Sequence, residues 1–202
     1  MTTKASTDRV KHDSSPRDRL LRAAELYYSE GINSVGINRI LHEAQTPIMS
    51  LYRHFGSKDG LVGEFFLDKG GRVRHFFERE AEARADSGRG RILALFDILA
   101  EVFADDDFRG CAFINASLET KEAEHPLRAI ALDHKEWTRG LFRRYAAEMG
   151  AADPTLLANW LTMVMDGAFV TAEMRRGDPT VGANARAMVE LLLDTAPCSQ
   201  PV

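Results

Sequence analysis

The segment PIMSLYRHFGSKDGL, residues 47–61, gathers Ser50, Tyr52, Arg53, His54, Ser57 and Lys58 within a dozen positions. These are hydrogen-bond donors and cations, and together they suit contact with a nucleic-acid duplex. A Ser hydroxyl reaches a base edge or a phosphate, Arg53 reaches either, and Tyr52 and His54 suit phosphate oxygens. Met49 offers an apolar contact such as a thymine methyl. Lys58 carries a further signal. A cation in the first turn of a helix opposes the macrodipole. A bound phosphate removes the conflict by meeting both the ammonium and the free N–H groups of the helix; a solvated lysine is the alternative.

These side chains need elements to aim them. Leu51 and Phe55 lie four residues apart and give the segment Ile48–Phe55 an apolar face, predicting a short helix behind a Thr46 cap and a first-turn Pro47. Ile37, Ile40, Leu41 and Ala44 predict another over 37–44, with Gly36 as its cap. Two helices of this length separated by about three residues have helix-turn-helix spacing, in which the second helix enters the major groove. Ahead of them, Ser15-Pro16-Arg17-Asp18 starts a helix whose face is Leu20, Ala23, Ala24 and Tyr27, and Gly31 stops it. A fourth helix starts at Ser57-Lys58-Asp59, carries Leu61, Phe65 and Phe66, and bends at Gly70-Gly71.

From Gly88 onward the helical period continues over 88–103, from Pro126 to Met149, from Pro154 to Arg176, and after Pro179. RGCAFINASLE, residues 109–119, adds a short helix opened by Gly110 and Cys111. The fold class is therefore all-α, with about nine helices and no strand. Residues 1–15 are read as a mobile arm, 16–62 as a three-helix DNA-binding domain, 63–196 as a larger helical domain, and 197–202 as a tail. Residues 1–62 carry 9 Lys and Arg against 7 Asp and Glu, and the remainder 17 against 23, so the basic end is the end with the donor cluster.

The run GINSVGINRILHEAQTPIMSLYRHFGSKDGLV resembles the DNA-binding domain of the TetR family of transcriptional regulators. The correspondence is carried by Leu51, Tyr52, His54, Phe55, Ser57, Lys58, Asp59 and Leu61, preceded by Gly31, Ile40 and Ala44. The resemblance implies phosphate contacts for Tyr52, His54 and Lys58. With Arg39, Thr46, Pro47, Met49, Ser50 and Arg53 they make up the expected DNA-binding set. It departs from the family at Gln45, where members carry Gly between the two motif helices, and at Gly36, where they carry Ser or Thr. It also implies a small-molecule effector cavity in the middle helices, dimerisation through the last two, and a repressor released from a palindromic operator by that effector.

The composition of the second region agrees in outline. TLLANWLTMVMDGAFVTAEM is apolar around most of its circumference, as expected of a helix that faces both its own core and a second copy of the chain. The ligand candidates are Phe77, Phe96, Phe103, Phe113, Trp137, Trp160 and Met163, with Asn115 and Asp166 as polar positions that either orient a ligand or cap and bridge helices. For any one of the aromatics, ordinary core packing is the favoured reading. Cys111, at a helix start beside Arg109, is read either as a thiol sensor or as a small buried residue. Cys111 as the nucleophile of an all-helical enzyme, and a protein-binding module on the same fold, are the competing functions.

Two cysteines make no disulfide framework, and the exposed tail position of Cys198 suggests reduced thiols. HExxH, CxxC and clustered-carboxylate patterns are absent, so no metal or cofactor is expected. The longest apolar runs, such as Leu191-Leu192-Leu193, fall far short of a bilayer span, and the polar amino terminus lacks a secretory core. The expected location is the cytoplasm.

Overall fold

The computed structural model describes residues 15–120, 122 and 124–197. The amino-terminal arm ahead of Ser15, Cys198 and the residues after it lie outside the described set. Described elements are helical throughout: α1 (Pro16–Ala23), α2 (Leu26–Ser29), α3 (Ile37–Glu43), α4 (Ile48–Phe55), α5 (Lys58–Arg84), α6 (Gly88–Phe103), α7 (Ala112–Glu119), α8 (Pro126–Glu148), α9 (Pro154–Met174) and α10 (Thr180–Thr195). None is long and apolar enough to cross a membrane. The chain divides into two compact units, one ending at Asp68 and one starting at Lys69, so α5 contributes to both.

In the first unit, Ser15 and Asp18 form a reciprocal capping box that opens α1, with Pro16 in its first turn. The single first helix expected from the sequence is two segments, α1 and the one-turn α2, separated at Ala24 and Glu25. Their shared face buries Leu20, Ala23, Ala24 and Tyr27 against Ile40, Leu51 and Phe65 of the same unit, and α1 packs on both α3 and α4. Tyr27 meets Phe65 edge to face at 6.4 Å, and Phe65 meets Phe66 at 5.1 Å. Burial, with the Asp59 carboxylate adding to it, pushes the Tyr27 phenol up to about 12, so it stays neutral.

In the second unit, α6, α8, α9 and α10 enclose a core that includes Phe96, Leu99, Phe142, Tyr145, Leu161 and Val189. Phe96 and Phe142 stack at 6.0 Å. Helices α6 and α10 approach closely at Gly182, where an added Cβ would lie 2.6 Å from the Ala100 Cβ and 2.8 Å from its Cα. Arg186 of α10 binds Asp97 of α6 at 2.6 Å, and Arg84 of α5 holds Glu101 of α6 through both oxygens at 2.7 and 2.9 Å. Helix α5 runs unbroken through Gly70 and Gly71, where the sequence suggested a bend. Gly70 lies against α7 and α8 with room left for a methyl group. An added Cβ there would lie 3.4 Å from the Phe113 ring and 3.7 Å from His134 Nδ1, whereas Gly71 faces open space. His134 is buried and stacks on Phe113 at 3.7 Å with the rings 9° from parallel. Burial first, then the Arg74 and Lys135 cations, lowers its pKa to about 3.

Two consequences can be measured. Gly182→Val should destabilise the second unit by about 2 kcal/mol through overpacking against Ala100, while Gly71→Ala should stabilise by about 0.5–1 kcal/mol; urea unfolding of both variants checks the contrast. His134 stays neutral in the fold but is protonated in the unfolded chain below about pH 6.5. Its contribution is therefore present above that pH and is lost as pH falls towards about 3, at up to about 1.4 kcal/mol per pH unit. Unfolding midpoints at pH 7.5 and 5 should differ less in His134→Phe than in the parent chain.

Candidate nucleic-acid interface and effector cleft

The turn between α3 and α4 sets the aim of α4. Gln45 adopts the left-handed region there, with φ 47°, the one non-glycine described residue to do so. Arg19 of α1 holds the turn: its Nε donates to the Ala44 carbonyl at 3.1 Å and its Nη2 to the Thr46 hydroxyl at 3.3 Å. The Thr46 hydroxyl in turn donates to the Ala44 carbonyl at 2.9 Å. This corrects the expected cap of α4. Thr46 is buried and belongs to the turn, and Pro47, not Thr46, occupies the cap position of α4. Gly36 caps α3 as expected, without a side-chain bond. Arg19 escaped sequence reasoning because nothing local marks an arginine that pairs 25 residues away.

Along α4, Leu51 is fully buried and Phe55 half-buried, as their spacing predicted. Ser50 is also buried, at 8% exposure, because it shares the inward side with Leu51. Outward stand Pro47, Ile48, Met49, Tyr52, Arg53 and His54. Met49 is 72% exposed and Tyr52 51%, large side chains that the unit does not cover. Arg53 Nη2 lies 3.5 Å from His54 Nε2. Arg39 is exposed on α3, within 3.5 Å of Glu30 and 3.9 Å of Glu43. Ion pairs this open contribute little and exchange easily for a phosphate.

Helix α4 ends at Gly56, whose φ of 74° is the left-handed cap position glycine favours. The next helix starts so close behind that an added Cβ on Gly60 would lie 2.0 Å from the Phe55 carbonyl oxygen. Lys58 then turns inward: its ammonium donates to the Ile32 carbonyl at 2.8 Å and lies 5.6 Å from the centre of the Tyr27 ring. The cation that opposes the macrodipole thus has a structural partner, and Asp59 adds the favourable charge beside it. The bond ties the start of α5 to the loop after α2.

In the second unit, the expected ligand residues separate. Phe113 and Asp166 line a cleft of about 510 Å³ between α7 and α8, bordered by α9. Phe96 is fully buried in the core, and Phe77, Phe103 and Trp137 pack against that core. Phe103 also joins Phe108 and Phe169 in a ring cluster, at 5.2 and 5.4 Å. Asn115 donates to the Arg109 carbonyl at 2.8 Å, a bond that secures the start of α7. Trp160 and Met163 are 41% and 72% exposed, on a strip of α9 that continues through Val170 and Met174, and Met163 also lines a second cleft of about 400 Å³ between α9 and α10. With the exposed Gly167 between Met163 and Val170, the strip repeats every three or four residues, the spacing of one helix face, opposite the buried Leu161, Met165 and Ala172. Cys111 caps α7 and is buried at 8% exposure. No group of metal-ligating side chains occurs among the described residues.

Residues 20–65 match the family described as bacterial regulatory proteins, tetR family. A crystal structure of SCO4454, a TetR-family transcriptional regulator from Streptomyces coelicolor, is 31% identical, covers 90% of this chain and 95% of its own, and superposes with a TM-score of 0.78. A cysteine mutant of the TetR-family regulator CifR, complexed with 26-base-pair double-strand operator DNA, is 26% identical with a TM-score of 0.71 over 92% of this chain and 99% of its own. The HTH-type transcriptional regulator YjdC of Escherichia coli is 20% identical over 91% of this chain and 95% of its own length.

If Lys58 supports the fold as its bonds indicate, Lys58→Met should lower the stability of the first unit by about 1–2 kcal/mol, the range for a hydrogen bond from a charged donor. Tyr52→Ala, at an exposed position, should leave it unchanged. Thermal unfolding of both variants tests this.

Proposed function

The chain belongs to the TetR family of transcriptional regulators, and we propose that it is a homodimeric repressor that leaves a palindromic operator when a small-molecule effector occupies its second unit. The observation that carries the DNA reading is the outward face of α4. It combines two uncovered large side chains, Met49 and Tyr52, with Arg53 and His54 on a helix fixed from behind by Leu51 and a bonded turn. Met49 and Arg53 then read base edges, while Tyr52, His54, Arg39 and the backbone near Pro47 meet sugar and phosphate. Lys58 supports the surface from inside, and its ammonium retains further N–H groups for a phosphate at the start of α5.

Support for a homodimer comes from the exposed apolar strip of α9, Trp160, Met163, Val170 and Met174, and from Met188 and Leu191 on α10. Exposed apolar residues this concentrated mark an association surface. A two-fold dimer matches a palindrome whose half-sites lie about one duplex turn, roughly 34 Å, apart. The effector acts by binding the DNA-competent and DNA-incompetent states with different affinity, since equal affinity would shift nothing.

Fluorescence anisotropy on duplex DNA from upstream of the coding region, against a scrambled duplex and across a salt series, tests the assignment. Specific binding with a steep salt slope is expected. Tyr52→Ala and Arg53→Ala should each weaken it about tenfold, a loss of about 1.4 kcal/mol. Met163→Glu should yield monomers by sedimentation and abolish specific binding. No binding even at low salt would overturn the reading.

A further inference from the structure

Helix α8 presents a stripe that combines cations with uncovered apolar surface. His125, Arg128, Leu132 and Lys135 recur at intervals of three and four residues, and all line the cleft against α7. Ile114 and Leu118 of α7 line it too. Leu118 is 78% exposed and Leu132 63%, so the cleft holds apolar surface that the unit itself does not cover.

Arg128 is the organised polar group of this cleft. Its Nη1 donates to the Ser117 carbonyl at 3.1 Å and the Thr120 carbonyl at 3.4 Å, at the end of α7. Those two bonds orient the guanidinium and use one nitrogen. Nε and Nη2 form no bond among the described residues, and they make the edge whose two parallel N–H groups match a carboxylate. Lys135 pairs with Asp166 and keeps further N–H groups, about 10 Å along the helix from Arg128 at 1.5 Å per residue. Arg128 and Lys135 are balanced by Asp166 and Glu124, so the cleft has no excess charge to hold a polyanion. A cationic head would compete with Lys135 for Asp166.

We propose that this cleft binds an amphipathic monocarboxylate, its head on the Nε–Nη2 edge of Arg128 and its apolar body along Ile114, Leu118 and Leu132 towards Lys135. The proposal deepens the effector reading and rests on it for its regulatory meaning, not for the binding itself. A ligand there would lie against Phe113, whose ring stacks on the buried His134, and beside the Lys135–Asp166 pair that joins α8 to α9.

The test uses the full chain and three ten-carbon probes, decanoate, decanol and decylamine, in isothermal titration calorimetry. Decanoate should bind at least tenfold tighter than either of the others. Arg128→Gln should reduce decanoate to the level of decanol, whereas Leu132→Gln should weaken both alike; thermal melts confirm that both variants fold. Equal affinity for the three probes, or full decanoate affinity in Arg128→Gln, would overturn the proposal. Anisotropy on operator DNA separates the two claims. Release by decanoate in the parent chain but not in Arg128→Gln supports both. Tight, Arg128-dependent binding that leaves the operator complex intact upholds the site and overturns its role as the effector site.

Discussion

The arrangement of the first unit depends on how the chain turns between α3 and α4. Gln45 occupies a backbone region that costs a non-glycine residue about 1 kcal/mol, and the turn is held by bonds from outside it. Arg19 of α1 supplies these, one to the Ala44 carbonyl and one to the Thr46 hydroxyl, and within the turn Thr46 adds a third to Ala44. A recognition helix must present its side chains at fixed distances from base edges, so a loose turn would spread them over many orientations and lose affinity to ordering. The buried Leu51 beneath α4 and the Lys58–Ile32 bond behind it extend the same restraint.

The second unit solves a different problem, since one helix must serve two surfaces. Helix α9 buries Leu157, Leu161, Met165 and Ala172 in its own unit while leaving Trp160, Met163, Val170 and Met174 uncovered. A monomer gains nothing from that second face. It is consistent with the proposed homodimer, and it explains why Trp160 and Met163 resembled pocket residues in the sequence: large apolar side chains in the middle of an apolar helix look alike whether they face a ligand, a core or another copy.

Most helix boundaries were legible because their signals are local. Ser15 with Asp18, Gly88, Pro126, Pro154 and Pro179 each stand within one turn of the start they mark. The bend expected at Gly70-Gly71 does not occur, because a helix glycine costs only about 1 kcal/mol against alanine and the tertiary packing of the continuous α5 offsets it. Phe113 and His134, more than 40 and 60 residues away, pack against Gly70 at ordinary contact distance. Arg128 was missed for a related reason. Its orientation comes from carbonyls at the end of α7, eight and eleven residues back, and no residue type announces a carbonyl.

The sequence by itself determined the all-helical class, the two short helices of the motif, and which positions of α4 carry donors, because periodicity, caps and residue chemistry act within a turn or two of helix. Only the tertiary structure decided which of those donors face outward. It turned Ser50 and Thr46 inward, gave Lys58 a carbonyl partner, and brought Phe113 and Asp166 together while sending Trp160 and Met163 to the exterior. The physical reason is that exposure is a property of what packs against a side chain, and those partners lie tens of residues away, where local spacing holds no information.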